Sequence, residues 1–218
     1  MTKQQDFRKF TPIDNLLMQV DTGLRTLFGK PSITERKNPE DAVDEVELSA
    51  QEKELAGRLM RINHSGEVAA QGLYQGQALT AKLPEVRAKM ERAAQEENDH
   101  LDWCEQRINE LGTHTSYLNP LWYAGSVAIG ATAGLAGDKW SLGFVAETEH
   151  QVVRHLTSHL NQISENDHKS RAILEQMKED EGQHATVAIN AGGAELPAPV
   201  KKFMSLTSKI MTKAVYRI

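Results

Sequence analysis

Two copies of a Glu-x-x-His motif, at 97–100 and 181–184, each have a lone glutamate about thirty residues upstream, and this pattern constrains the fold of the chain more than any other feature. Glutamate and histidine three positions apart on a helix project from the same side, one turn from each other. Two such motifs and two lone glutamates, brought together in a four-helix bundle, supply six side chains that can bind two metal ions. The sequence therefore predicts an all-α protein built on an antiparallel bundle. The candidate metal ligands are Glu67, Glu97 and His100 in the first half and Glu149, Glu181 and His184 in the second.

The Glu-x-x-His motif alone is weak evidence, because it occurs four times in this chain. Helical periodicity selects two of the four. Glu97 and His100 lie within a stripe of apolar residues, and Glu181 and His184 lie within another, so both pairs are predicted to face the core. The motif at 165–168 lies in an all-polar run that is typical of a loop.

The remaining motif, Glu147 with His150, competes with Glu149 for the inward position on one predicted helix. Glu149 follows the stronger apolar stripe, which includes Val145 and Val152. We therefore take Glu149 as the inward residue, and Glu147 remains the alternative.

The spacing of the motifs supports their pairing in two helical hairpins. The midpoint between lone glutamate and motif falls at Lys82 in the first half, beside Pro84, and at Glu165 in the second. Residues equidistant from the turn of an antiparallel helix pair lie side by side. Each lone glutamate is thus predicted to face its own Glu-x-x-His motif, and the chain reads as an internal duplication.

The composition limits the classes of protein to consider. The chain has 218 residues, which suits one domain with a substantial core. A net charge of −5 gives no electrostatic argument for nucleic acid as a partner. A single cysteine, Cys104, excludes an internal disulfide framework and favours a reducing compartment. The N-terminus lacks a signal-peptide pattern, and no apolar run reaches the roughly 18 residues that span a bilayer.

Prolines, glycines and capping residues divide the chain into predicted segments. Thr11-Pro12 and the capping box of Ser49 with Glu52 mark two helix starts, and Gly112 marks a helix end. Gly66, beside Glu67, is expected to let a neighbouring helix come close. Residues 1–48 are predicted to hold an amphipathic helix (12–28) and a charged linker (29–48). The bundle is predicted to occupy 49–218, with helices at 49–81, 84–111, 141–163 and 169–191 and additional interfacial helices at about 120–137 and 197–218.

Three of these segments could contact a membrane. The stretch at 120–137 is rich in small residues, which allow close helix packing in lipid or in protein. The segment at 197–218 combines an apolar stripe with five positive charges, a pattern of helices attracted to anionic lipid. A basic face on a docked helix explains it equally well. For the helix at 12–28, docking on the bundle and contact with a membrane or partner both remain open.

Carboxylates and imidazoles without thiolates suit iron or manganese as the bound metal. Buried without a metal, six ionisable side chains would cost many kcal/mol, whereas two divalent cations would balance four carboxylates. The alternative is a set of solvated helix glutamates that happen to align. Tyr74 and His155 are candidates to support the ligands from behind, although ordinary packing accounts for either residue as well. Such a centre can activate dioxygen, oxidise and store iron, or remove peroxide.

Four segments together resemble the demethoxyubiquinone hydroxylase family of ubiquinone biosynthesis, and the likeness runs from about residue 49 to the C-terminus. They are Arg-Ile-Asn-His-Ser-Gly-Glu at 61–67, Glu-Glu-Asn-Asp-His-Leu at 96–101, Ala-Gly-Asp-Lys at 136–139 and Glu-Asp-Glu-Gly-Gln-His-Ala at 179–185. Residues 24–29 are similar to the bacterial branch. The resemblance implies a ferritin-like bundle with two iron ions, whose six ligands fall on the six residues named above. It favours Glu149 over Glu147, because His155 then matches a histidine near the family's site; many members follow that histidine with tyrosine, where this chain has Leu156.

The implied reaction is a monooxygenation, in which dioxygen hydroxylates the ring of a polyprenyl methoxy-methyl-benzoquinol in the penultimate step of ubiquinone biosynthesis. The resemblance also implies a peripheral location at the cytoplasmic face of the bacterial inner membrane. The implied partners are the membrane surface, an electron donor (reduced nicotinamide, a reductase or a quinol) and other ubiquinone-biosynthesis proteins. Three alternatives stay open: a ferritin-like iron store, a di-iron hydroxylase of another substrate such as a modified tRNA, and a lipid-binding scaffold with an inactive metal site.

Overall fold

The computed structural model describes residues 11–44 and 46–218, and these residues form seven α-helices and one short 3-10 helix, with no strand among them. The predicted all-α class is confirmed. The helices are α1 (Pro12–Phe28), α2 (Ala50–Thr80), α3 (Pro84–Glu110), α4 (Asn119–Leu135), α5 (Asp138–Leu160), α6 (His168–Asn190) and α7 (Ala198–Val215), and the 3-10 helix covers Pro39–Ala42.

The helix ends follow local sequence signals. Ser49 caps α2 in a capping box with Glu52, as predicted, and Thr11 caps α1 in the same way. Gly112, just after α3, has a φ of 72°, a backbone conformation that favours glycine. Short connections after α2 and after α5 then return the chain as two antiparallel hairpins, α2–α3 and α5–α6.

The two hairpins pack into a bundle with two separate apolar clusters. One cluster includes Met60, Cys104, Leu156 and Met177, and the other lies further along the same four helices. The second cluster includes Tyr74, Met90, Val145 and Ala188. On every helix of the bundle, the candidate metal ligands fall between the residues of the two clusters. The bundle therefore holds a polar layer between two apolar ones.

Helix α4 crosses α2 at short range because both helices have glycine at the contact. A Cβ atom on Gly130 would overlap the backbone oxygen of Leu73, and one on Gly76 would overlap the backbone oxygen of Val127. The expectation for Gly66 was wrong. A Cβ atom there would have no atom within 4 Å outside its own turn, so Gly66 faces open space rather than a neighbouring helix.

The outer helices expose much of their apolar surface. Helix α1 contacts the bundle through Gln19, Gly23 and Leu27, while its stripe of Leu17, Leu24 and other apolar residues is exposed. On α7, the exposed apolar residues are Val200, Phe203, Leu206 and Ile210. Among the described residues, no helix is both long enough and apolar enough to cross a membrane.

The connecting segment, residues 30–44 between α1 and α2, lies against α3 and α6. Thr34 donates two hydrogen bonds to Asp99 on α3, from its backbone N–H and its hydroxyl, each 2.7 Å long. Asn38 and Glu40 are buried, and Arg36 forms an ion pair with Asp180 on α6. These contacts bring a segment that precedes the bundle up to its metal-ligand layer.

Candidate metal centre

The six candidate ligands come from four helices and meet inside the bundle. Helix α2 contributes Glu67, α3 contributes Glu97 and His100, α5 contributes Glu149, and α6 contributes Glu181 and His184. The four glutamates and His100 are at most 2% exposed, and the side chain of His184 is 10% exposed. One ligand atom from each of Glu67, Glu97, His100 and Glu181 can be chosen so that all four lie within 4.8 Å of one another. This cluster can hold a metal ion.

Two of the carboxylates contact both histidines. Glu97 has Oε2 3.0 Å from Nδ1 of His100 and Oε1 3.2 Å from Nδ1 of His184. Glu181 has Oε1 3.1 Å from Nδ1 of His100 and Oε2 3.2 Å from Nδ1 of His184. Each carboxylate therefore spans the space between the imidazoles, which is the placement that bridging ligands of a two-metal site need.

The two lone glutamates lie at opposite ends of this arrangement. Glu67 has Oε2 3.9 Å from Nδ1 of His100. Glu149 accepts a hydrogen bond from the Tyr74 hydroxyl, and its charge interacts with Glu181, Glu97 and His184. Glu67 thus lies near the histidine of its own half, and Glu149 interacts electrostatically with the histidine of the second half of the chain, His184.

The outer nitrogen of each histidine contacts a carboxylate that sequence reasoning missed. Nε2 of His100 is 2.9 Å from Oδ2 of Asp180, and Nε2 of His184 is 2.7 Å from Oε2 of Glu96. Such carboxylates fix the tautomer and orientation of metal-binding imidazoles. Asp180 and Glu96 each come directly before the glutamate of a motif, and each contacts the histidine of the other motif. That repeated acidic residue is the signal that could have revealed them.

The structure brings one of the two predicted supporting residues to the cluster. Tyr74 is buried against Glu149, whereas His155 makes its hydrogen bond with Ser208 on α7, at 3.0 Å. The alternative ligand, Glu147, turns away toward Arg154 at 3.2 Å and Lys201 at 3.7 Å.

The charge state of the cluster favours a cation. Burial raises the pKa of Glu67 and of Glu149, and neighbouring carboxylates raise both further. Within the described chain, Oε1 of Glu97 and Oε1 of Glu181 are buried, and each lies near an imidazole nitrogen, Nδ1 of His184 at 3.2 Å and Nδ1 of His100 at 3.1 Å, without hydrogen-bond geometry. Buried carboxylate oxygens without an aligned donor are costly, and a metal ion is the partner that their shared position suits. The residues present therefore fit a divalent metal.

The histidines hold protons while the site lacks metal. Burial lowers the pKa of His100, but its contacts with Asp180 and Glu181 outweigh burial and raise that pKa overall. The pKa of His184 is raised in the same way, because Glu181 and Glu97 outweigh burial. Both rings face the carboxylates through Nδ1, the atom that would bind metal.

We predict that binding of a divalent metal releases protons and that the affinity rises with pH. Raised pKa values at Glu67, Glu149 and both histidines mean that the metal-free cluster carries protons near neutral pH, and each ligand must lose its proton to bind. Calorimetric titration with Co²⁺ in two buffers of equal pH but different ionisation enthalpies measures the number released. We expect roughly two to four protons per site; heats that do not depend on the buffer would contradict this.

Two cavities reach the cluster from different sides. An apolar cavity of about 170 Å³ lies between α2 and α5 under α4 and α7, and Gly66 and Glu67 line its inner end. A larger cavity of about 770 Å³ with charged residues at its lining lies between α3 and α6 and reaches Tyr74 and His184. The centre is therefore buried but accessible along one apolar and one polar path.

A helical bundle with this doubled glutamate and histidine cluster defines a ferritin-like carboxylate protein able to bind metal. The family model described as "Ubiquinone biosynthesis protein COQ7" matches residues 54–215, and the chain belongs to this family. The resemblance inferred from the sequence is thus confirmed.

Several relatives match nearly the whole chain. A protein of Nitrosococcus oceani is 61% identical over 211 residues, which cover 97% of this chain and 99% of the relative. A protein of Stutzerimonas stutzeri is 61% identical over 214 residues, covering 97% and 98%, and one of Pseudomonas putida is 60% identical over 215 residues with the same coverage. All three are named 3-demethoxyubiquinol 3-hydroxylase.

Proposed function

We propose that this chain is a 3-demethoxyubiquinol 3-hydroxylase that uses two iron ions and dioxygen to hydroxylate the ring of a polyprenyl methoxy-methyl-benzoquinol. The observation that carries the proposal is the doubled geometry of the buried cluster, in which Glu97 and Glu181 each contact both histidines. Relatives with about 60% identity over almost their full length carry the same activity in their names.

The six residues divide into two matching sets of ligands. Glu67 and His100 would hold one ion, Glu149 and His184 would hold the other, and Glu97 and Glu181 would be shared between the two. Four carboxylates then balance the charge of two divalent cations, which accounts for their burial. When bound, the two iron ions supply the site and the electrons for dioxygen activation. The clusters of apolar residues on both sides keep bulk water away from this layer.

The apolar cavity suits a quinol with a long hydrocarbon tail. Its inner end is formed by Gly66 and Glu67, where the absence of a side chain at position 66 leaves room for a ring. Its outer part runs between α4 and α7, past Ile129, Phe203 and Met211. The ring would lie beside the Glu67 half of the centre, with the prenyl tail directed outward along these two helices.

Tyr74 keeps the Glu149 carboxylate in place through a hydrogen bond. Burial, and then the neighbouring Glu149 carboxylate, raise the pKa of Tyr74, so its hydroxyl keeps its proton at neutral pH. The tyrosine O–H therefore donates the hydrogen bond, and Oε1 of Glu149 accepts it. This bond leaves the other oxygen, Oε2, as the Glu149 atom free to bind an ion.

The substrate enters from a membrane surface that the outer helices contact. The exposed apolar residues of α7 adjoin Lys202, Lys209 and Lys213, which suits an anionic lipid surface. The exposed stripe of α1 adds a second apolar surface. We place the protein at the cytoplasmic face of the inner membrane, where it receives electrons from reduced nicotinamide, a reductase or a quinol and works beside other ubiquinone-biosynthesis proteins.

Quinone extraction from cells that lack this gene tests the function. We expect the demethoxy precursor to accumulate and the wild-type gene to restore the product. Glu181→Ala should restore roughly a hundredth of the product or less, because it removes a ligand shared by both ions. Glu175→Ala is the matched control, since Glu175 lies on the same helix with its side chain 59% exposed. Full restoration by Glu181→Ala, or no accumulation in the deletion strain, would overturn the proposal.

A further inference from the structure

We infer that Arg36, which lies outside the residues matched by the family model, is a positioning residue for His100 and for the metal ion on the Glu67 side of the centre. The inference rests on the proposed function. Nη2 of Arg36 forms an ion pair with Oδ2 of Asp180, and the same oxygen is 2.9 Å from Nε2 of His100. A continuous line of contacts thus runs from the connecting segment to a ligand.

Arg36 is held in place by more than its partner carboxylate. Its guanidinium lies over the ring of Trp103, 4.9 Å from the centroid, and that ring is 5.4 Å from the ring of His100. Nη1 is 3.8 Å from Oδ2 of Asp99. The side chain is only 28% exposed, so its charge is screened less than that of a surface arginine.

The connecting segment is fixed to the ligand helix close to the site. Thr34 donates its N–H and its hydroxyl to the two oxygens of Asp99, which lies between Glu97 and His100 on α3. Asp99 is fully buried. Two residues after Thr34, Arg36 therefore meets Asp180 from a backbone position that α3 itself determines.

The other half of the centre lacks an equivalent anchor among the described residues. There the outer carboxylate, Glu96, pairs with Arg92 one turn earlier on the same helix, at 2.8 Å. The Arg92 side chain is 62% exposed, and exposed pairs of this spacing contribute little. The six ligands and both outer carboxylates, Asp180 and Glu96, follow one pattern in the two halves, but the cation beyond each outer carboxylate does not.

The physical consequence is a difference in how firmly the two histidines are oriented. Arg36 holds Asp180, Asp180 accepts the Nε2 proton of His100, and Nδ1 of His100 then presents its lone pair to the metal. Loss of such an outer partner typically weakens metal binding about 10–100-fold. Loss of Arg92 should matter far less, because solvent already competes for that pair.

Metal titration separates these roles without measuring turnover. The metal-free full-length protein is titrated with Co²⁺ under anaerobic conditions, and binding is followed by calorimetry and by the visible absorption of the bound ion. We expect two equivalents for the wild type. Arg36→Gln should weaken one of them about tenfold or more, and Arg92→Gln should change both by less than about twofold.

Ligand variants identify which ion is affected. In the Glu149→Gln background, where the ion beside His184 is lost, Arg36→Gln should weaken the remaining ion. In the Glu67→Gln background it should leave the remaining ion unchanged. Equal effects in both backgrounds, or equal effects of Arg36→Gln and Arg92→Gln, would overturn the inference.

Melting temperatures of the metal-free variants show whether a change in metal binding comes only from a loss of folding stability. If Arg36→Gln does not fold, Arg36→Lys takes its place. Lysine keeps the positive charge but lacks the planar guanidinium group, with its paired donors and its stacking on Trp103. We expect it to weaken the same ion by a smaller factor, and unchanged binding would contradict the role of Arg36. A wild-type protein that binds no Co²⁺ would overturn the proposed function itself, which distinguishes the two failures.

Discussion

We expect the Gly66→Leu variant to lose hydroxylation by ~100-fold or more while it still folds and binds metal. Gly66 lines the inner end of the apolar cavity beside Glu67, and a Cβ atom there would touch nothing within 4 Å. A leucine side chain therefore fits the folded chain but takes the space proposed for the quinol ring. The helix should not be weakened, because glycine inside a helix is about 0.5–1 kcal/mol less favourable than alanine.

A second glycine provides the control for this prediction. Gly182 follows Glu181 on α6, and a Cβ atom there also meets nothing within 4 Å, but Gly182 does not line the apolar cavity. Gly182→Leu should thus keep turnover close to that of the wild type. The measurements are the turnover of a short-chain demethoxyubiquinol, Co²⁺ binding and the melting temperature. Normal turnover by Gly66→Leu would show that the ring lies elsewhere, and loss of metal would show that the site itself was disturbed.

The helices could be predicted from the sequence because their signals are local. The capping box of Ser49 with Glu52 and the proline at position 84 lie next to the ends that they specify. The inward side of α5 could be predicted as well, since the apolar stripe around Val145 and Val152 distinguishes Glu149 from Glu147. In the structure Glu149 is 1% exposed, and Glu147 faces Arg154.

The remaining features depend on contacts between distant residues. Asp180 accepts from His100 across 80 positions, and Thr34 reaches Asp99 across 65, so helical periodicity predicts neither contact. The acidic residue repeated before each motif glutamate marks Asp180 as a candidate but does not name its partner. Gly66 was misjudged for a related reason. Glycine is compatible with close packing and with open space, and only the placement of α4 and α7 decides between them.

The second large effect concerns stability, and its sign depends on metal. We predict that Glu67→Gln makes the metal-free protein more stable and the metal-loaded protein less stable than the wild type. Burial, and then the charge of Glu97, raise the pKa of Glu67. At neutral pH the unfolded chain carries this carboxylate ionised in water, whereas the folded chain must either bury the charge or bind a proton. A raised folded pKa thus destabilises the protein above the unfolded value of about 4.3, and glutamine of the same shape removes that cost.

The expected gain for the metal-free protein is about 1–3 kcal/mol, or roughly 2–10 °C in melting temperature. It should vanish below about pH 4, where the unfolded carboxyl group is itself protonated.

With metal bound, the wild type should be the more stable of the two proteins. A metal present at about a thousand times its Kd stabilises the folded state by about 4 kcal/mol, and Glu67→Gln loses much of that stabilisation because it removes a ligand. Melting curves with Co²⁺ and with a chelator measure both signs. Glu54→Gln on the same helix, where Glu54 is 63% exposed, should follow the wild type in both. If Glu67→Gln is less stable than the wild type without metal, the prediction is contradicted. The attraction between the Glu67 carboxylate and His100 would then outweigh the cost of burying that carboxylate.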